Sequence, residues 1–100
     1  MATTTKALFR GAAALTSTTL YTVPSSTTTV ITNIAVCNNA SSAATFTILL
    51  DDIELQKDST IAANSTAYID LKQVLDTTKT IKGLASAITV DFHISGVEIA

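Results

Sequence analysis

The segment ITVDFHIS, residues 88–95, decides the fold class. Apolar and polar residues alternate along it without interruption. The apolar residues are Ile88, Val90, Phe92 and Ile94. Because successive side chains of a strand point to opposite faces, this pattern predicts a β-strand with one buried face and one solvent-facing side.

The polar face of this strand carries Asp91, His93 and Ser95, the three residue types of a hydrolase triad. On one strand face, side chains at i and i+2 stand nearly parallel, with Cα atoms roughly 6.6–6.8 Å apart. A catalytic triad needs side chains that converge on one imidazole, beside oxyanion donors. We therefore interpret the three residues as a strand face, with an Asp91–His93 hydrogen bond as an incidental contact, and expect no enzymatic activity.

Similar patterns predict further strands on both sides of this segment. TTVITNIAVCN, residues 28–38, has apolar residues on both faces, which favours a central strand covered on two sides. On its even positions Val30, Thr32, Ile34 and Val36 would share one face. The other predicted strands are TLYTV at 19–23, ATFTILL at 44–50, a return strand through Ile53, Leu55 and Lys57, TAYIDL at 66–71 and TKTIKGLAS at 78–86.

Turn signals separate these strands. Asp51 and Asp52 occupy the two positions of a tight hairpin turn, where residues tolerant of positive φ are needed. AANST, residues 62–66, predicts a second turn, and KQVLD, residues 72–76, a single helical turn. Seven or eight short strands at this spacing predict an all-β, single-domain antiparallel β-sandwich that is jelly-roll-like.

The N-terminal segment does not fit the strand pattern. Residues 1–17 are rich in Thr and Ala and lack alternation. We expect them to form an extended arm beside a β-sandwich domain of residues 18–100. An arm of this kind is held either by a neighbouring molecule, through strand addition or wrapping, or by the protein's own sheet edge.

Composition narrows the classes of function. The chain has 100 residues, of which 47% are hydrophobic and only 14% charged, and its net charge is −2. The few Lys and Arg residues are scattered, so we expect no nucleic acid partner. Cys37 is the only cysteine, which excludes an intramolecular disulfide and a zinc site of the usual spacing. It is predicted to be a small buried hydrophobe, with a reactive or intermolecular thiol as the alternative.

No cofactor, metal or membrane is expected either. The acidic residues Asp51, Asp52, Glu54 and Asp58 lack the spacing of a calcium loop and are interpreted as solvated charges. No apolar run approaches the length of a membrane helix. Arg10 and Gly11 interrupt the apolar part of the N-terminus, so we expect no signal peptide and a protein made in a cytoplasm.

The outward faces of the predicted strands carry Thr, Ser and Asn rather than Lys and Glu. Exposed strand edges usually need charges that prevent pairing with other chains. Sparse charge therefore indicates an intended partner, with coverage by the protein's own arm as the alternative. The candidate assembly residues all lie in the arm: Thr3, Thr4, Thr5, Ala7, Leu8, Phe9, Arg10 and Leu15, with Leu8 and Phe9 as apolar anchors.

Three stretches resemble a group of small β-sandwich proteins among the structural genes of tailed bacteriophages. They are LYTVPSSTTTVITNIAVCNNASSAATFTILLDD, IAANSTAYIDL and VDFHISGVEI, which together run from about Leu20 to Ile99. The shared features are the L-Y-T-V-P start, the V-C-N segment, the A-N-S-T turn and the closing H-I-S-G-V-E-I. The pairs Ser25-Ser26 and Asp51-Asp52 depart from the resemblance, because a glycine is expected in each.

The resemblance implies a virion component: a decoration or cement protein on the capsid, or a tail-associated part. The expected partners are the major capsid protein or other virion proteins, together with copies of the chain in a small oligomer, taken to be a trimer. Alternatives are a tail or baseplate component and a carbohydrate-binding module for host attachment. A sugar site usually needs an exposed aromatic side chain on which the sugar ring can stack, and Tyr21 and Tyr68 are the candidates for it.

Overall fold

The computed structural model describes residues 2–100 and contains eight β-strands. They are β1 (Thr3–Ala12), β2 (Thr18–Thr22), β3 (Thr28–Asn38), β4 (Ala44–Leu50), β5 (Ile53–Ile61), β6 (Ser65–Leu75), β7 (Thr80–Ala85) and β8 (Val90–Ile99). The predictions for 28–38 and 44–50 are confirmed to the residue. The helical turn predicted at 72–76 is wrong, because β6 continues through it to Leu75. Ile88 lies exposed in the turn before β8 rather than in the core.

The strands form two antiparallel four-stranded sheets, which confirms the predicted β-sandwich. Sheet A has the order β1-β8-β3-β6 and sheet B the order β2-β7-β4-β5. The pairs β1–β8, β2–β7, β3–β6 and β4–β5 are those of a long antiparallel ribbon folded onto itself. The pairs β3–β8 and β4–β7 close that ribbon into two sheets. This connectivity is a jelly roll.

The core lies between the sheets and is built mainly from β-branched side chains. Ile31 and Ile34 from sheet A and Ile48 and Ile81 from sheet B are inaccessible to solvent. The rings of Phe46 and Phe92 meet edge to face across the interior, with centroids 6.3 Å apart. Removing this apolar surface from water is the principal term that favours folding.

A hairpin turn at one end of the sandwich and a buried asparagine at the other stabilise the loops there. Asp51 and Asp52 both adopt positive φ, 54° and 60°, which confirms the predicted hairpin turn. At the opposite end the fully buried Asn38 joins three loops. Its amide donates to the carbonyl oxygen of Ser42 at 2.9 Å and its Oδ1 accepts from the backbone N of Ala40 at 3.1 Å.

Both neighbours of β8 are irregular near Gly96. Strand β8 alternates regularly there, whereas Leu8 of β1 and Thr32 of β3 are extra residues that have no partner on β8. A Cβ atom on residue 96 would lie 2.4 Å from the carbonyl oxygen of Val30 and 2.9 Å from Leu8 Cδ1. Both neighbouring strands therefore approach β8 more closely at this point than a side chain on residue 96 permits.

The bulge at Thr32 changes which face of β3 is buried. Below it Thr29 and Ile31 face the core, and above it Ile34 and Val36 do. The prediction that the even positions share one face is therefore wrong for Val30 and Thr32, which are on the outer side, whereas Ile34 and Val36 are buried. Strand β3 is central in its sheet, as expected, but only one of its faces is covered by the other sheet.

The N-terminal segment is part of the sandwich and not a separate arm. Residues 3–12 form β1, which pairs with β8 along its length, and the backbone atoms of Ala2 and Ala100 exchange hydrogen bonds of 2.9 and 2.8 Å. The predicted boundary at residue 17 is therefore corrected. Of the two alternatives, the structure has the segment on the protein's own sheet.

Gly96→Ala is expected to destabilise the protein by about 2 kcal/mol or more, because the added methyl group collides with a backbone oxygen that cannot move alone. Urea denaturation of the purified variant measures the free energy of unfolding. Gly11→Ala is the control, since a Cβ atom there would meet only the ring of Phe9, at 3.3 Å. Equal stability of the two variants would contradict a close approach of the strands at Gly96.

Candidate assembly surface

The predicted assembly residues separate onto two faces of β1. Thr3, Thr5 and Ala7 lie opposite Ile99, Val97 and Ser95 of β8, on the outer face of sheet A. Arg10, beyond the bulge, is on the same outer face. Thr4, Leu8 and Phe9 face the interior side, and Leu15 is exposed in the loop between β1 and β2.

Leu8 is not available as a docking anchor. Its side chain is only 7% exposed and belongs to the core cluster, and Phe9 is partly buried against the same cluster. The role predicted for Leu8 is therefore corrected. Deleting residues 1–15 would remove a core side chain and uncover the edge of β8, so the deletion tests folding before it tests docking.

Most sheet edges are protected by irregularity rather than by charge. Leu8 bulges from β1 and Leu20 from β2, while Lys57 and Asp58 of β5 together oppose the single residue Thr47. Bulges twist an edge away from regular pairing with another chain. The expectation that these edges lack protection is thus wrong. Edge β6 is irregular as well, because Leu71 and Lys72 together oppose the single residue Thr32 of β3, although its exposure still alternates from Ser65 to Lys72.

The outer face of sheet A carries a row of four directly paired residues that crosses the whole sheet. Thr5 pairs with Val97, Val97 with Val30, and Val30 with Val74. We call these four residues the valine row. Val74, at the β6 end, is 61% exposed, and the other two valines are half-buried by their neighbours.

Charge borders the valine row only at its β6 end, where Lys72 lies two residues from Val74 and Asp70 pairs with Asn33. The next row toward the chain termini consists of Thr3, Ile99 and Thr28. Since strands are about 4.8 Å apart, the two rows form a strip about 14 Å wide whose own residues are uncharged. Depletion of charge over an apolar centre is typical of the buried part of a protein interface. This strip is therefore the candidate assembly surface, and Thr3 and Thr5 are the predicted residues that lie on it.

The other half of the outer face is polar and contains the Asp91, His93 and Ser95 series. These residues stand on one strand face, as predicted, with His93 between Arg10 and Ala35 of the neighbouring strands. The carboxylate of Asp91 accepts a hydrogen bond from Asn39 Nδ2 at 2.6 Å rather than from the imidazole. The arrangement is one of separate side chains on a sheet, without convergence on a reacting atom.

Cys37 is half-buried on this outer face and not in the core, which corrects its predicted burial. It has a different orientation from its neighbours Val36 and Asn38, both of which are fully buried. Its thiol lies 3.5 Å from Asn39 Oδ1 and is placed to donate to it.

The acidic residues of the β4–β5 turn form ion pairs with lysines. Asp52 lies 2.6 Å from Lys82 Nζ and Asp51 lies 3.6 Å from Lys79 Nζ. Among residues 2–100, no three His, Cys, Asp or Glu side chains come together in a group able to hold a metal ion.

No helix long and apolar enough to cross a membrane occurs in the described part of the chain.

A polar cluster behind the strip connects the two sheets. Tyr21 of β2 donates its hydroxyl proton to Glu98 of β8 at 2.5 Å and lies 2.8 Å from the hydroxyl of Thr29, which must then donate to it. Lys6 lies 3.5 Å from the same carboxylate. Burial, followed by the bond to Glu98, raises the pKa of Tyr21 to about 12. Glu98 lies between Val97 and Ile99, so the cluster holds the end of β8 that carries the strip.

Because the pKa of Tyr21 rises from 10 to about 12 on folding, its contribution to stability is complete below pH 10 and is lost as the pH approaches 12. The loss should amount to about 2 kcal/mol. In the variant Tyr68→Phe, Tyr21 is the only tyrosine. A pH titration of phenolate absorbance in this variant should have its midpoint near pH 12.

Denaturant unfolding across the same pH range supplies the control for this titration. Tyr21→Phe should lack the part of the alkaline loss that belongs to Tyr21. A midpoint near 10 in a protein that is still folded by circular dichroism would contradict the buried hydrogen bond.

Comparison of the chain with protein-family models and with curated proteins gives no match. The functional proposal therefore depends on the geometry of the strip and on the sequence resemblance.

Proposed function

We propose that the protein is a non-enzymatic structural subunit of a bacteriophage virion, a decoration protein that docks on the capsid shell and stabilises it. The observation that carries the proposal is the uncharged strip centred on the valine row. The sequence resemblance to virion proteins supplies the class of partner, since a jelly roll hosts many unrelated functions. The expected partner is the major capsid protein, and the expected location is the assembled particle.

The strip suits a docking role because of its shape and chemistry. Side chains held on a hydrogen-bonded sheet lose little conformational freedom on binding. Burying the valine row against more than one shell subunit would place apolar contacts across the subunit boundary. Binding to the assembled shell and not to free subunits then raises the free energy needed to separate them.

The double variant Val30→Lys and Val74→Lys should bind shells at least tenfold more weakly, because docking would bury two unpaired charges. Cosedimentation with purified shells of the phage whose genome carries the chain measures the affinity. Thr60→Lys is the matched control, since Thr60 is also an exposed residue of an edge strand but lies on sheet B. Circular dichroism confirms that each variant is folded.

The same cosedimentation experiment, repeated with purified tails, distinguishes docking on the shell from docking on the tail. Binding to purified tails and not to shells would overturn the decoration role and favour the tail or baseplate alternative. Binding to shells that is equally strong for the double variant and for Thr60→Lys would show that another surface docks.

The carbohydrate-binding alternative retains one candidate residue. Tyr21 is buried and its hydroxyl is hydrogen-bonded, so it cannot act as a platform for a sugar. Tyr68 is 74% exposed on the outer face of β6, beside Ala35 of β3. A single exposed tyrosine supplies one stacking surface, and loss of glycan binding in Tyr68→Ala would favour this function over docking to a shell.

A further inference from the structure

The free edge of β6 has a self-complementary pattern. Strand β6 is the outermost strand of sheet A and pairs only with β3. Along it, residues at even positions from 66 to 74 are exposed, and those at odd positions from 65 to 71 are half-buried. Asp70 and Lys72 flank Leu71, and the exposed Tyr68 and Val74 lie three residues from Leu71 on either side.

We propose that two copies of the chain pair through their β6 edges, antiparallel, about a two-fold axis at Leu71. In this register each residue faces the one equally distant from Leu71 in the second copy. Asp70 then lies opposite the partner's Lys72, and symmetry repeats the pair. Tyr68 lies opposite the partner's Val74, so all four side chains on the outer face meet a complementary one.

These opposed pairs have favourable chemistry at the distances that a sheet imposes. Directly opposite residues of an antiparallel pair have Cβ atoms about 4.5–5.5 Å apart, and both opposite charges and aromatic with β-branched pairs stabilise at this distance. Pairing also satisfies the backbone donors and acceptors of the edge. Sheet A would continue as eight strands across the pair, and a two-fold arrangement is closed, leaving no free β6 edge.

The other edges in the described part of the chain do not offer the same pairing. The charged residues of β1 are both basic, Lys6 and Arg10, and the strand has a bulge at Leu8. Strand β2 has five residues and a bulge at Leu20. Strand β5 is interrupted where Asp58 adopts a φ of 46°. Self-pairing of β1 would bring like charges together, β2 is short, and β5 is interrupted at Asp58. Strand β6 is also irregular against β3, where Leu71 and Lys72 oppose Thr32, but its side chains keep alternating through this point from Ser65 to Lys72.

Exposed apolar surface continues beside the β6 edge. A cleft of about 230 Å³ lies between β5 and β6, lined in part by Ile53, Leu55 and Val74. Ile53 is among the most exposed large hydrophobic side chains of the chain. A second copy on the β6 edge would cover the mouth of this cleft, which adds apolar burial to the ladder.

The inferred pair differs from the trimer expected from the sequence and does not depend on the proposed function. Failure to bind shells would leave the pair intact, and failure to pair would leave docking through the valine row to be tested by itself. Val74 belongs to both surfaces, so the tests of pairing use Asp70 and Lys72 instead.

Light scattering after size exclusion of the full chain should give twice the 10.4 kDa mass of one chain. Lys72→Asp should raise the dimer dissociation constant at least tenfold. Each Asp70 would then face the aspartate introduced in the partner, and symmetry produces this repulsion at two places in the dimer. The charge-swapped double variant Asp70→Lys with Lys72→Asp should restore dimerisation, since it rebuilds both pairs with reversed sign. The effect of the single variant should decrease as salt is added.

Lys57→Asp is the control, because it makes the same charge change at an exposed edge position of β5 and should leave the dimer unchanged. A monomer at high concentration, a trimer, or a dimer insensitive to Lys72→Asp would overturn the proposal. A dimer that the single variant weakens but the double variant does not restore would overturn the register at Leu71.

Discussion

The close approach of Val30 to Gly96 is the constraint on which the rest of sheet A depends. The carbonyl oxygen of Val30 occupies space that any side chain on residue 96 would need. Strands on both sides of β8 insert one residue at this level, while β8 itself alternates without a break. The extra residues Leu8 and Thr32 are the β-bulges at which β1 and β3 change register against β8.

The two bulges determine which surface the protein presents. Because β1 and β3 each shift by one residue, Val30 and Thr5 face outward on one side of the bulges, and Ile34 and Phe9 face inward on the other. The valine row is the product of that shift. The Tyr21–Glu98 hydrogen bond then attaches the end of β8 to sheet B directly behind the row. A strip of uncharged residues on a sheet that is attached to the second sheet behind it is a surface suited to binding a large partner.

The sequence located part of the candidate surface. Of the residues predicted in an N-terminal arm, Thr3, Thr5 and Ala7 are on the outer face of sheet A, but Leu8 is a core residue and Leu15 lies in a loop. The valine row was missed, because its members come from four strands far apart in the chain. Alternation in the sequence places Val30 on the same face as Ile34. In the structure the unpaired Thr32 shifts the alternation, so that Val30 is on the outer face and Ile34 is in the core. The burial of Cys37 was wrongly predicted for the same reason, because beyond Thr32 the odd positions of β3 are on the outer face.

The sequence by itself determined the fold class, the bounds of the most regular strands and the hairpin at Asp51 and Asp52. These features depend on local physics: alternation at a period of two, and residues that tolerate positive φ. Only the tertiary structure decided that residues 3–12 pair with β8, that KQVLD continues a strand, and which face of each bulged strand is buried. A strand's faces are assigned by counting in twos, and one inserted residue reverses the count. Where that residue is inserted depends on contacts between neighbouring strands, above all at Gly96, and these contacts leave no periodic signal in the sequence.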